Sequence, residues 1–179
     1  MPTLKVGFIG LGRMGLPMSY RLLAAGFDLM VHNRSQGKVR QIAEAGARPA
    51  ASAAQIVCDT DIVLACLPDV ATVGEVFLGE NGIVANARPG QVLVDHSTVG
   101  LDESRTCAAA AGEKGATFLD APISGGEGGA AAGTLSIMVG GETSDFNAAS
   151  PLLHAMGKNI FYFGDIGMRK RSLVDYNCM

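Results

Sequence analysis

Gly10-Leu11-Gly12-Arg13-Met14-Gly15 is the stretch that decides the fold of this 179-residue chain. It follows the apolar run Lys5 to Ile9 and opens a segment in which Met14, Met18 and Leu22 recur every four residues. That spacing places the three side chains on one face of a helix. A G-x-G-x-x-G sequence between a strand and a helix is the dinucleotide-binding fingerprint. The sequence therefore predicts a strand, a tight turn and a helix that bind the pyrophosphate of a nucleotide cofactor.

Each glycine of this turn has a separate steric task. Gly10 permits the tight turn, Gly12 lets backbone N–H groups approach the pyrophosphate, and Gly15 lets the helix pack closely on the strand. The N-terminus of the helix adds partial positive charge near the phosphates. The alternative is a glycine turn with a purely structural role. The predicted cofactor-binding residues of the turn are Gly10, Leu11, Gly12, Arg13, Met14 and Gly15.

The next predicted strand ends in Val31-His32-Asn33-Arg34-Ser35 and lacks the acidic residue that normally binds the ribose hydroxyls of NAD. Arg34 carries a planar, permanently charged group suited to a 2′-phosphate, and Asn33 removes a carboxylate that would repel that phosphate. We therefore predict that Asn33, Arg34 and Ser35 bind the adenosine end of NADP, with NAD as the less favoured alternative. Arg34 pointing only to solvent is the competing interpretation.

Apolar, β-branched runs alternate with alanine-rich segments along the rest of the chain. This alternation is typical of βαβ units, so we expect an α/β, Rossmann-type, doubly wound and mostly parallel sheet in residues 1–163. The first helix should end near Gly26, and the second should begin after Ser35 and end near Gly46. The candidate strands are Lys5 to Ile9, Leu29 to Val31, Asp61 to Leu67, Val92 to Asp95, Thr117 to Leu119, Ser136 to Val139 and Ile160 to Phe163.

Composition narrows the function classes. Hydrophobic residues make up 48% of the chain and charged residues 17%, which suits one compact domain. A net charge of -3 gives no basic surface for nucleic acid. The strand that follows Met1-Pro2-Thr3 leaves no room for a leader, and no long apolar segment indicates a membrane span. Four cysteines without a C-x-x-C pair favour reduced thiols over a metal or disulfides, so we expect a cytoplasmic protein without a metal site.

A second glycine-rich region follows the predicted strand Thr117 to Leu119. It reads Asp120-Ala121-Pro122-Ile123-Ser124-Gly125-Gly126-Glu127 and continues with Gly133 to Gly141. A generic nucleotide-binding domain needs neither segment. Ser124-Gly125-Gly126 offers exposed N–H groups and a hydroxyl, which together suit a substrate carboxylate. A tight glycine turn without a ligand is the alternative.

Taken together, these motifs resemble the 3-hydroxyisobutyrate dehydrogenase family, the β-hydroxyacid dehydrogenases related to 6-phosphogluconate dehydrogenase. The matching segments are Gly7 to Gly15, Cys66-Leu67-Pro68, Val94 to Thr98, Asp120 to Gly126 and Gly133-Thr134-Leu135. The resemblance covers nearly the whole chain. Within the family, Leu78 to Ile83 and Ser124 to Glu127 are most similar to the 2-hydroxy-3-oxopropionate (tartronate semialdehyde) reductases.

The resemblance implies a two-domain enzyme in which a helical domain follows the Rossmann-type domain, completes the active site and forms the oligomer. Hydride would pass between nicotinamide C4 and the terminal alcohol carbon of a small 3-hydroxyacid. The resemblance places Leu67 and Pro68 beside the nicotinamide, Thr98 near its ribose, and Ser124, Gly125 and Gly126 at the substrate carboxylate. It also makes Asn177 a substrate-binding residue.

The last residues depart from the family pattern. The family's proton-transferring lysine lies in G-x-x-G-x-G-x-x-x-K-x-x-N-N, and that position falls on Leu173, while only Asn177 of the final pair agrees. Lys170 lies about one helical turn earlier and is the alternative proton donor. We therefore expect residues 164–179 to be a divergent remnant of the interdomain helix and the helical domain to be absent.

Two functions remain open at this point. The first is an NADP-dependent oxidoreductase that acts on 3-hydroxyisobutyrate or 2-hydroxy-3-oxopropionate, truncated and impaired because one wall of its cleft is missing. The second is a non-catalytic NADP-binding module. Either would recognise small molecules, with no nucleic acid or membrane as a partner.

Overall fold

The computed structural model describes residues 4–166, and a six-stranded sheet runs through their centre. The strand order is β3-β2-β1-β4-β5-β6, and all five neighbouring pairs are parallel. This is the order of a Rossmann-type, doubly wound sheet. The six strands are β1 Lys5–Ile9, β2 Asp28–His32, β3 Arg48–Pro49, β4 Ile62–Ala65, β5 Val92–Asp95 and β6 Thr117–Asp120.

Helices cover both faces of this sheet because its central strands are apolar on both sides. In β4, Ile62 and Leu64 lie in one core cluster, and Val63 and Ala65 lie in the other, as the alternation of a strand requires. The eight helices of the described residues are α1 Gly15–Ala24, α2 Gln36–Ala43, α3 Ala53–Asp59, α4 Val70–Leu78, α5 Ile83–Asn86, α6 Leu101–Glu113, α7 Gly126–Ala132 and α8 Thr143–Met156.

The predicted ends of the first two helices are confirmed. Gly26 has φ 85° and Gly46 has φ 111°, so each adopts the left-handed conformation that ends a helix. Ser35 takes the N-cap position of α2 with extended backbone, but its side chain makes no capping hydrogen bond. Its hydroxyl is therefore not committed to the helix.

The two last predicted strands belong to a second sheet, which the sequence did not separate from the first. Its order is β7-β8-β9, with β7 Ile123–Ser124 antiparallel to β8 Leu135–Val139, and β8 parallel to β9 Gly157–Tyr162. A pair of backbone hydrogen bonds between Asp120 and Gly140, 2.9 and 3.0 Å long, connects the two sheets. The second sheet carries Ser124 to the edge of the first.

Among the described residues, no helix combines the length and the apolar character that crossing a bilayer requires.

Candidate functional site

A cleft of about 1130 Å³ opens at the carboxyl ends of the parallel strands. It lies where β1 and β4 are neighbours although they are not consecutive in the chain. The connections from these two strands leave towards opposite halves of the sheet, and ligands of open α/β sheets bind at such switch points. The glycine-rich turn after β1 and the Cys66-Leu67-Pro68 segment after β4 both line this cleft.

The glycine-rich turn has the geometry that its three glycines predict. Gly10 has φ 95°, and a Cβ there would collide with the carbonyl oxygen of Cys66. A Cβ on Gly15 would collide with the carbonyl oxygen of Gly10. A Cβ on Gly12 would meet no atom within 4 Å and would project into open space. The surface over Gly12 is therefore bare backbone, which fits a bound pyrophosphate.

Leu11 and Asn33 have structural tasks in this turn. The side chain of Leu11 is fully buried and does not line the cleft. Its backbone N–H donates to Oδ1 of Asn33 at 2.9 Å, and Nδ2 of Asn33 donates to the carbonyl of Ser35 at 3.0 Å. Asn33 therefore holds the end of β2 against the glycine-rich turn. This hydrogen bond could not be predicted from local sequence, because its partners are 22 residues apart.

Arg34 and Ser35 lie exposed along one arm of the cleft, where the sequence placed the adenosine end of the cofactor. Asp69, the N-cap of α4, is close enough for its charge to interact with that of Arg34. The pKa of Asp69 lies below its usual value mainly because its carboxylate accepts the backbone N–H of Thr72 at 2.8 Å; Arg34 adds a smaller effect. Thr72 itself lines the cleft.

The other arm of the cleft begins at Leu67 and Pro68. The backbone N–H of Leu67 donates to Oγ of Ser97 at 2.9 Å, and the N–H of Ser97 donates to Oδ1 of Asp95 at 2.9 Å. Ser97 therefore joins the segments that follow β4 and β5. Thr98 is exposed beside it on the cleft wall. Ser97 lies within the Val94 to Thr98 segment, but its sequence context predicted no task for it.

Two titratable side chains line this arm, the half-buried thiol of Cys66 and the buried ring of His96. Burial raises the pKa of the Cys66 thiol to about 12, with a smaller contribution from the charge of Asp95. Burial lowers the pKa of His96 to about 4, so its ring is neutral near pH 7. Nδ1 of His96 lies 2.7 Å from the carbonyl oxygen of Ala121 and must donate to it, while Nε2 has no hydrogen-bond partner in the protein.

Ser124, Gly125 and Gly126 line the same cleft. Ser124 ends β7 and Gly126 begins α7, so the three residues form a turn between a strand and a helix. Gly125 has φ 132° and Gly126 has φ 63°, so this strand-to-helix turn requires glycine at both positions. Glu127, the next residue, forms a 3.2 Å ion pair with Arg13 of the glycine-rich turn. Both side chains are exposed, so the pair contributes little stability.

The fold thus brings most of the predicted site residues into one cleft. Leu11 lies outside it, and Lys170, Leu173 and Asn177 lie outside the described residues. The predicted residues that line the cleft are Gly10, Gly12, Arg13, Met14, Gly15, Asn33, Arg34, Ser35, Leu67, Pro68, Thr98, Ser124, Gly125 and Gly126. Lining residues without a predicted task include His32, Gln36, Cys66, Thr72, Glu75, Val76, His96, Ser97 and Ile123.

Within residues 4–166, no group of three or more histidine, cysteine or acidic side chains is arranged to hold a metal ion.

The sequence is similar to a family of NAD-binding domains and to two classes of dehydrogenase. Residues 5–164 match the family model of the NAD binding domain of 6-phosphogluconate dehydrogenase. The chain is 44% identical over 162 residues to a probable mitochondrial 3-hydroxyisobutyrate dehydrogenase of Dictyostelium discoideum, covering 90% of this chain and 50% of that protein. It is also 44% identical over 163 residues to an NAD-dependent L-serine dehydrogenase of Pseudomonas aeruginosa, covering 91% and 55%.

The fold also matches that of a solved structure. The structure of Psf3 in complex with NADP+ and 2-OPP superposes with a TM-score of 0.90 at 32% sequence identity, covering 96% of this chain and 61% of that one. The present chain spans about half the length of the curated relatives it matches.

Proposed function

Because the chain belongs to the 3-hydroxyisobutyrate dehydrogenase family, with an NAD-binding domain of the 6-phosphogluconate dehydrogenase type, we propose that it serves hydride transfer between NADP(H) and a small 3-hydroxyacid or semialdehyde. One observation carries the proposal: a single cleft joins the glycine-rich turn to Ser124. A cofactor seated on Gly12 can thus reach a substrate carboxylate held at Ser124. 3-Hydroxyisobutyrate and 2-hydroxy-3-oxopropionate are the substrates we favour.

The preference for NADP rests on the adenosine arm. Asn33 is a neutral amide where NAD-binding domains usually carry a carboxylate, and Arg34 is exposed in the cleft beside it. A 2′-phosphate would therefore find a cation and no adjacent repelling group at position 33. Relatives differ in this respect, since Psf3 is described with NADP+ and the L-serine dehydrogenase as NAD-dependent. The choice rests on this chain's own residues.

The proposed tasks of the residues follow from their places in the cleft. When bound, the nicotinamide cofactor supplies or accepts the hydride. Gly12 leaves its backbone open to the pyrophosphate, while Leu67 and Pro68 form an apolar wall that keeps water from the reactive end. The exposed hydroxyl of Ser124 would donate a hydrogen bond to the substrate carboxylate.

The proton needs a separate donor and acceptor, for which the family uses a lysine. That position falls on Leu173, and the nearby Lys170 is the candidate replacement. The leucine at this position favours the second candidate function, a cofactor-binding module without turnover. The two functions share the cofactor site and differ only in the chemical step.

A single titration tests both candidate functions. NADPH and NADH are added separately to the purified chain, and binding is followed by the fluorescence of the reduced nicotinamide. Tartronate semialdehyde, or in a second series the semialdehyde of 3-hydroxyisobutyrate, is then added, and oxidation is followed by absorbance. Turnover that is lost in Ser124→Ala and Lys170→Ala supports the oxidoreductase. Tight NADPH binding without turnover supports the module, and no binding of either nucleotide refutes the proposal.

A further inference from the structure

His96 is a buried polar group that the functions assigned above do not use. It follows β5 directly, its side chain is 1% exposed, and it lines the cleft. Its backbone N–H donates to the carbonyl of Ala65 at the end of β4, and its ring is bonded to the carbonyl of Ala121 after β6. The backbone and the ring of His96 thus join the carboxyl ends of β4, β5 and β6, in the cleft that Leu67 and Ser124 also line.

The bond to Ala121 fixes which ring nitrogen carries the proton. A carbonyl oxygen only accepts, so Nδ1 must be the N–H group, and Nε2 of the neutral ring presents a lone pair. Burial lowers the pKa of His96 to about 4, which keeps the ring in this form near pH 7. Nε2 is buried and has no partner in the protein. An unpaired buried acceptor is costly, so a partner from a ligand is expected.

The chemistry of the lone pair restricts that partner. Nε2 can only accept, so it would repel the carboxylate proposed at Ser124. A substrate carbonyl has no proton to donate. A substrate alcohol has a proton to donate, but the substrate is an alcohol in only one redox state. A ring with so low a pKa is also a weak base for accepting that proton. The carboxamide of nicotinamide carries an N–H₂ group in both redox states.

We infer that Nε2 of His96 accepts a hydrogen bond from the carboxamide N–H₂ of the nicotinamide and so fixes the rotation of the nicotinamide ring in the cleft. This inference rests on the proposed function, because it requires a nicotinamide cofactor in this arm. His96 is then a positioning residue: it sets which ring face meets the substrate at Ser124, without exchanging a proton.

Cofactor analogues and a matched pair of variants test the inference by binding alone. The 3-acetylpyridine analogue of NADP+ replaces the N–H₂ by a methyl group, whereas the thionicotinamide analogue retains it. His96→Asn keeps a donor near the Nδ1 position but has no atom at the Nε2 position. His96→Gln places an amide oxygen near the Nε2 position and loses the Nδ1 donor. Circular dichroism and thermal unfolding establish that each variant is folded.

The native chain should bind the acetylpyridine analogue about tenfold more weakly than NADP+, as expected when one buried hydrogen bond is lost. It should bind the thionicotinamide analogue about as well as NADP+. In His96→Asn the tenfold ratio should fall to about one, and in His96→Gln it should persist.

Three results would overturn the inference. A ratio near one in the native chain shows that no carboxamide bond contributes. A ratio that persists in His96→Asn shows that another group, or a buried water, binds the carboxamide. A ratio lost only in His96→Gln shows that the bond to Ala121 is what matters. Failure of NADP+ and NADPH to bind at all would refute the proposed function as well, so the two failures are distinguishable.

Discussion

Gly12→Ala should weaken cofactor binding without weakening the fold. The new Cβ meets no protein atom within 4 Å, and Gly12 does not have a positive φ. Its effect on the free energy of unfolding should therefore stay within about 0.5 kcal/mol. The methyl group would occupy the space in which phosphate oxygens approach the backbone. Losing one charge-assisted N–H···O bond costs about 1.5–3 kcal/mol, so the dissociation constant for NADPH should rise about 10- to 150-fold.

Gly15→Ala is the matched control, because it adds the same methyl group three residues away. Its Cβ would collide with the carbonyl oxygen of Gly10, and the phenyl ring of Phe8 lies 3.0 Å from it. A backbone oxygen cannot move aside as a side chain does, so the substitution should cost about 3 kcal/mol. For a chain of this size that lowers Tm by about 6–12 °C.

The assay pairs thermal unfolding of the chain without cofactor with fluorescence titration by NADPH below Tm. Gly12→Ala should bind NADPH more weakly at an unchanged Tm, whereas Gly15→Ala should have a lower Tm. If Gly12→Ala binds NADPH as the native chain does, the pyrophosphate does not lie over Gly12. If Tm falls by the same amount in both variants, the space over Gly12 is not open as the structure has it.

Three further changes have definite expected outcomes. Asn33→Asp keeps an acceptor for the N–H of Leu11 but adds a negative charge that would repel a 2′-phosphate. The ratio of NADH affinity to NADPH affinity should therefore rise about tenfold or more. An unchanged ratio in paired titrations would remove the argument for NADP. Urea unfolding should become easier as pH falls from 6.5 towards 4. The pKa of His96 is lower in the folded chain than in the unfolded chain, so the unfolded chain binds the proton first as pH falls. The free energy of unfolding should therefore fall by on the order of 3 kcal/mol over this range. His96→Asn should lack that component, and equal pH dependence in both chains would contradict it. In a Cys178→Ser background, iodoacetamide should label exposed Cys58 much faster than Cys66 at pH 8, because burial raises the pKa of Cys66 to about 12; equal rates by peptide mass spectrometry would count against that burial.

Local signals in the sequence were sufficient for the central strands and the glycine-rich turn. Each task of Gly10, Gly12 and Gly15 is a matter of local sterics, and the collisions found at Gly10 and Gly15 agree with it. The short β3 was missed because Arg48–Pro49 has neither length nor alternation, and proline is tolerated there only because the strand is at an edge. The second sheet was missed because a strand's pattern does not reveal its neighbours.

Some features of the candidate site could likewise be predicted from the sequence, and others could not. By itself the sequence determined the fold class and identified the glycine-rich turn and the glycine pair after Ser124, since these depend on residue type and spacing along the chain. Only the tertiary structure decided that Asn33 supports Leu11, that Ser97 holds Leu67, and that the neutral ring of His96 keeps one nitrogen unpaired. Those contacts join segments 22 or more residues apart, and burial and hydrogen-bond direction arise only once the strands have paired.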